Sequence, residues 1–234
     1  MPLHLRPATL ADSPHIGRIG AASFSDTVSL ALFPANLSHL SLTGDNFTDE
    51  AEWRAARNVR RMKEGKVTFV VVDRDEGGEE KAVVGFAQWE PPKSTNTSQG
   101  GEDEDKQAAG AASLKTELEA DVLPPSLDVV ALKRMWEAVE AETEAVLGPE
   151  GYSKMWYLMI LGVDPKYHRR GIGKMLIKKG LELVERDGKD AFLVATPNGQ
   201  KLYESVGFKA VGQGCDLGGV PHYSMLWKRA EARG

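Results

Sequence analysis

Between positions 168 and 174 the chain reads His168-Arg169-Arg170-Gly171-Ile172-Gly173-Lys174, where an apolar strand gives way to a helix. Leu161-Gly162-Val163 closes the strand and Asp164-Pro165 forces a turn. Beyond it Ile172, Leu176, Gly180, Leu181, Leu183 and Val184 fall on one helical face. The unpaired N–H groups at such a helix start, with the positive end of the helix dipole, form an anion site. Gly171 and Gly173 leave the backbone bare for phosphate oxygens, and Arg169 and Arg170 can add charge-assisted hydrogen bonds. The expected chemistry is pyrophosphate binding. Two other phosphate loops do not fit: a P-loop needs Ser or Thr after its lysine, and Lys174 precedes Met175. A dinucleotide fingerprint needs glycine where Leu176 stands. Taken alone, the loop reads first as a tight turn into a helix with solvated basic side chains.

The elements that must position this loop are legible on either side. Leu3 to Arg6 is a short strand, followed by a helix carrying Ile16, Ile19 and Phe24 with Asp12 or Ser13 as its cap. Residues 25–48 read as short helices and loops, and Asp49 to Lys63 as a helix stopped by Gly65. Thr68–Asp73 and Ala82–Trp89 form a hairpin around Gly77-Gly78. Residues 91–112 are rich in Ser, Thr, Gly, Pro, Asp and Glu, and such a segment buries too little surface to offset its ordering entropy. A disordered internal linker is expected over about 91–125 and an extra amphipathic helix over about 126–147, within one domain spanning 1–234. Val129, Leu132, Trp136, Val139 and Val146 share that helix's apolar stripe, which places Trp136 in core packing. Strands at Met155–Val163, Ala191–Thr196, Phe208–Val211 and Tyr223–Trp227 alternate with helices at Gly171–Arg186 and Asn198–Val206. The fold class is α/β, a single sheet flanked by helices.

The 234 residues are 41% hydrophobic and 27% charged with a formal net charge of -5, enough apolar material for one sizeable core and no basic field for nucleic acid. Cys215 is the single cysteine, so no intrachain disulfide forms and a reducing compartment fits. The start of the chain lacks the apolar core of a signal peptide and no stretch approaches membrane-span length, so a cytoplasmic or nuclear location is expected.

The loop from His168 to Gly173 resembles the acetyl-CoA-binding motif of the GNAT N-acetyltransferases, Gln/Arg-x-x-Gly-x-Gly/Ala after a Val-x-Pro turn. Asn198-Gly199-Gln200-Lys201-Leu202-Tyr203-Glu204-Ser205-Val206-Gly207-Phe208 resembles that family's second signature, and Arg6-Pro7-Ala8-Thr9 with Asp12 its N-terminal strand and helix. The layout is similar to uncharacterised fungal members. Two departures stand out: His168 replaces the usual Gln or Arg, and Thr196 replaces a common Asn.

The resemblance implies a GNAT acyl-CoA fold, a central mixed, mostly antiparallel sheet, and acetyl-CoA as co-substrate without a metal. It assigns cofactor contacts to Leu161, Gly162, Val163, residues 168–174, Thr196, Asn198 and Tyr203. Tyr203 is placed as general acid for the departing thiolate, since a phenol with a pKa of about 10 suits that transfer. No carboxylate stands on the Met155–Val163 strand, so Glu90 is the first candidate for the base and His222 the second, with a water relay and no dedicated base as the third reading. Phe24, Phe33, Trp89, His222 and Tyr223 are the expected acceptor contacts, for a small primary amine with an apolar body. The implied partners exclude nucleic acid and membrane, and the chain is expected as a monomer or homodimer. A non-catalytic acyl-CoA-binding module and a protein or peptide N-acetyltransferase are the alternative readings.

Overall fold

The computed structural model describes residues 3–75, 77–93 and 121–229. In chain order they form β1 (Leu3–Pro7), α1 (Ser13–Ser23), α2 (Val28–Leu32), α3 (Asn46–Lys63), β2 (Val67–Arg74), β3 (Glu80–Glu90) and α4 (Val129–Leu147). β4 (Trp156–Val163), α5 (Ile172–Arg186), β5 (Ala191–Ala195), α6 (Pro197–Glu204), β6 (Lys209–Ala210), β7 (Cys215–Asp216) and β8 (Pro221–Trp227) follow. Local chemistry sets most boundaries. Asp45 caps α3 by accepting from the Thr48 N–H at 2.8 Å, and Arg60, Arg61 and Lys63 crowd its negative end.

The strands form one sheet in the order β1-β2-β3-β4-β5-β8-β6, with β7 against β8. Only β4 and β5 run parallel. Their pairing covers Trp156–Leu158 against Ala191–Leu193 and then stops, although β4 continues to Val163. At the same point Leu158 faces Trp89 while Ile160 faces Gln88 on β3, so Met159 is an extra, bulged residue. The sheet therefore opens between β4 and β5.

α5 and α6 cover one face over Trp89, Leu176, Leu193, Phe208 and Met225. α1 and α3 cover the other face, packing Ile16 and Ile19 on Val70 and Phe86. A third cluster joins α2, α3 and α4 through Leu32, Trp53, Leu132 and Met135. A buried polar chain locks α3 to the sheet: Gln88 Nε2 donates to Asn58 Oδ1 at 2.8 Å and Thr68 Oγ1 at 3.0 Å, and Asn58 Nδ2 donates to Ser13 Oγ at 2.9 Å.

α5 approaches β3 closely because Gly180 faces the Trp89 ring; a Cβ there would lie 2.1 Å from Trp89 Cε2. Gly180→Ala should therefore destabilise the fold by about 3 kcal/mol, the upper part of the overpacking range, despite alanine's better helix propensity. Urea unfolding checks this, and an unchanged midpoint would refute the contact.

Three sequence expectations shift. The extra helix begins at Val129 rather than Ser126, because Asp128 is its cap, accepting from the Ala131 N–H at 2.9 Å. Ser126 is instead buried with its hydroxyl on Asp49. Residues 121–125, expected within the linker, are anchored: Asp121 receives Arg60 Nε at 2.9 Å and pairs with Arg57 Nε at 2.9 Å, its side chain only 5% exposed. Residues 94–120 of the expected linker lie outside the described residues. Asp12, expected as a cap of α1, turns back to accept from the Thr9 N–H at 2.7 Å and from Arg6. Burial opposes its charge, but those bonds hold its carboxyl down at about 2.

Candidate active site

The loop after β4 is built from its own backbone. Asp164 Oδ1 accepts from the Lys166 N–H at 2.9 Å, and Pro165–Tyr167 make one 3-10 turn. His168 Nε2 lies 3.0 Å from the Val163 carbonyl, which can only accept, so that nitrogen carries the proton. Ser23 Oγ donates to the same carbonyl at 3.1 Å. His168 thus ties the loop back to the strand.

Arg169 and Gly171 both adopt left-handed backbone, with φ of 63° and 79°. Alternation of this kind curls successive N–H groups into a concave anion site. Gly171 is the N-cap and has no side chain to offer, and the first helical bond is Met175 N–H to Gly171 O at 3.0 Å. The N–H groups of Ile172, Gly173 and Lys174 meet no acceptor among the described residues. Open space lies where a Cβ of Gly171 would project. Gly173 differs: a Cβ there would sit 2.8 Å from Leu202 Cδ2, so its smallness serves the packing of α5 on α6.

The two arginines also separate. Arg169 and Lys174 line the central cavity, whereas Arg170 does not and its guanidinium lies 5.1 Å over the Tyr167 ring. Tyr167 donates to Asp73 Oδ2 at 3.1 Å and braces the loop against β2, a strut that the sequence reading missed. Burial first, then that carboxylate, push its hydroxyl above the usual phenol range.

Where β4 and β5 part, the cavity of about 1180 Å³ passes through the sheet. Leu161, Gly162 and Val163 line it along the β4 edge that no strand pairs, a surface suited to an extended chain with amide groups. Gly162 is small because Phe86 Cε1 would lie 2.7 Å from its Cβ. Thr196, the expected contact in place of Asn, caps α6 by accepting from the Gly199 N–H at 3.2 Å. Thr196 and Asn198 are both on the cavity wall.

Tyr203 lines the cavity from α6 with only 9% exposure, edge-on to Phe208 at 6.0 Å between ring centres. Burial, then the neighbouring Tyr157, push its hydroxyl well above the usual range. It stays protonated at neutral pH, as a proton donor requires.

On the opposite face of the sheet the cavity meets α3, α4 and β8. His222 is 4% exposed on its wall, with Nδ1 2.9 Å from the Val220 carbonyl. That acceptor fixes the proton on Nδ1 and leaves Nε2 with a lone pair. Burial lowers the ring's pKa against the opposing effects of the Val220 bond and Asp216, so the neutral form dominates near pH 7. Glu90 also lines the cavity but is held in an ion pair with Lys66.

Of the expected acceptor contacts, Phe24 and His222 are on the wall and three others are not. Trp89 is fully buried beneath α5, because adjacent strand residues point to opposite faces and Glu90 takes the cavity side. Phe33 lies behind the wall, 5.8 Å from the Trp53 ring. Tyr223 pairs with Ala195 and turns toward Gly214. In their place stand Trp53 on α3 and Trp136 and Thr143 on α4. Trp136, read from the stripe as core, is only partly buried and borders the cavity. Helical periodicity marks an apolar face without saying whether protein or ligand covers it. Cys215 is half-buried and its thiol is pushed up to about 11, by burial first and then Glu142 and Asp216, which makes it a poor nucleophile.

A mixed sheet split between two parallel strands, with a glycine-led helix start at the split, matches the fold of GNAT acetyltransferase structures. Residues 133–229 match the family described as acetyltransferase (GNAT) domain. Among solved structures, a mosquito arylalkylamine N-acetyltransferase-like protein shares 16% identity at a TM-score of 0.59, covering 96% of this chain and 99% of the other. A histone acetyltransferase HPA2 and related acetyltransferase from Corynebacterium glutamicum shares 19% identity at 0.56, over 100% of both chains. The PaiA N-acetyltransferase of Thermoplasma acidophilum, solved with coenzyme A, shares 11% at 0.51, over 98% and 100%. At these identities the likeness establishes the fold.

Proposed function

We propose that this protein is an acetyl-CoA-dependent N-acetyltransferase that acetylates the primary amine of a small molecule. The observation that carries the reading is the alignment of three unmet N–H groups at the start of α5 with the unpaired β4 edge and the buried Tyr203 phenol, all on one cavity. The pyrophosphate of coenzyme A would take the N–H groups of Ile172, Gly173 and Lys174 with Arg169 beside them, and the pantetheine amides would pair along Leu161–Val163.

The amine nitrogen attacks the thioester carbonyl, and a backbone N–H near the Met159 bulge stabilises the oxyanion. As the C–S bond breaks, Tyr203 gives its proton to the thiolate. The amine's proton goes to His222 Nε2, which is free to accept it while Glu90 is engaged by Lys66. Calorimetric titration with acetyl-CoA, followed by free-thiol release over an amine panel, tests the reading. Folded protein that binds no acetyl-CoA, or binds it and releases thiol with no amine, would overturn it.

The base has its own signature. A His222 pKa held below the usual value keeps the base form until the pH falls through that lowered value, so kcat/KM should lose activity only there. His222→Gln should lower kcat about 100- to 1,000-fold, within the general-base range, and remove that acidic limb. An unchanged pH–rate profile in the variant would eliminate the role.

A further inference from the structure

The acceptor side of the cavity carries an imbalance of charge. On α3, Arg54 reaches Glu50 Oε1 through both Nε and Nη2 at 2.7 Å, and Arg57 pairs with Asp121. Arg61, also on the wall, has a partner of its own. Glu90 is matched by Lys66. α4 presents Glu140 and, one turn on, Glu144 to the same cavity, and neither meets a cation among the described residues. Lys93, the other cation on this side, is exposed and pairs with neither. Burial, then the like charges of Glu144 and Glu137, push the Glu140 carboxyl up, as expected for a carboxylate without a counter-ion.

Two further polar groups on this wall are buried and unsatisfied. Thr143, on the same face of α4, is 6% exposed and its hydroxyl has no hydrogen-bond partner; Trp53 Nε1, at 3% exposure, has none either. Buried polar groups are usually completed by protein, ordered water or a bound group, and both of these residues line the cavity. The shape of the demand is a cation with hydrogen-bonding capacity, beside an apolar wall that includes Trp136 and Val139.

The attacking nitrogen must be neutral and its proton is assigned to His222 Nε2, which leaves the carboxylate pair to a second, distal cationic group. We infer that Glu140, Thr143 and Glu144 form a subsite for the distal ammonium of a small diamine or polyamine, with its alkyl spacer along Trp136 and Val139. This rests on the transferase reading and narrows its substrate class.

The test compares 1,6-diaminohexane with hexylamine, equal in spacer length, by calorimetry with and without coenzyme A and by thiol release. The native protein should favour the diamine roughly 10- to 100-fold, the range for a charge-assisted hydrogen bond. The isosteric double variant E140Q/E144Q should reduce that preference to near parity while hexylamine turnover and acetyl-CoA affinity hold. Equal affinity of the native protein for both amines, or a preference that survives the double substitution, overturns the subsite. Tight diamine binding without thiol release would instead refute the transferase reading and leave the subsite standing.

Discussion

Gly173→Glu is expected to remove measurable acetyl-CoA binding, a loss of at least about 100-fold or 2.7 kcal/mol, while the protein stays folded. The substituted carboxylate would stand in the first turn of α5, where the N–H groups of Ile172, Gly173 and Lys174 have no partner. It would satisfy those donors itself and repel the pyrophosphate by its own negative charge. Part of the effect is packing, since any Cβ at 173 meets Leu202 Cδ2 at 2.8 Å. Gly173→Ala separates the two: a small stability loss from the flexible leucine tip, with affinity kept within a few-fold. Calorimetry with a melting curve on each variant decides the matter. A folded Gly173→Glu protein with native affinity would remove the anion site from this helix.

Tyr203→Phe should lower kcat about 100- to 10,000-fold and leave acetyl-CoA affinity nearly unchanged, the pattern of a proton donor needed only in the transition state. The ring is 9% exposed and stacked edge-on with Phe208, so phenylalanine preserves the packing and removes only the hydroxyl. Burial holds that hydroxyl protonated across the neutral range, which a thiolate leaving group requires. Equal loss of affinity and turnover would mean that the phenol only positions the cofactor. Unchanged turnover would leave the thiolate to water.

Much of the proposed donor side is built from segments that the chain itself makes legible. The loop from His168 to Gly173 and the helix from Asn198 to Tyr203 are contiguous segments, so turn chemistry and helical periodicity expose them directly. The proposed acceptor side is much less so. Trp53 and Arg57 on α3, Trp136 and Thr143 on α4, and His222 on β8 are brought together from separate elements across the sheet. Trp89 and Glu90 show the limit most simply: neighbours in the chain, one lies under α5 and the other on the cavity, and alternation alone does not say which face the ligand takes.

By itself the sequence determined a bare helix start after a buried strand, with a tyrosine helix behind it, because those features depend on local backbone and spacing. Only the tertiary structure decided that β4 and β5 part after Leu158 and that Arg170 stacks on Tyr167 while Arg169 lines the cavity. It also decided that Glu90 is tied to Lys66 while His222 keeps a free ring nitrogen, and that Glu140 and Glu144 have no counter-ion among the described residues. Charge pairing and burial are relations between distant segments, and long-range packing sets them.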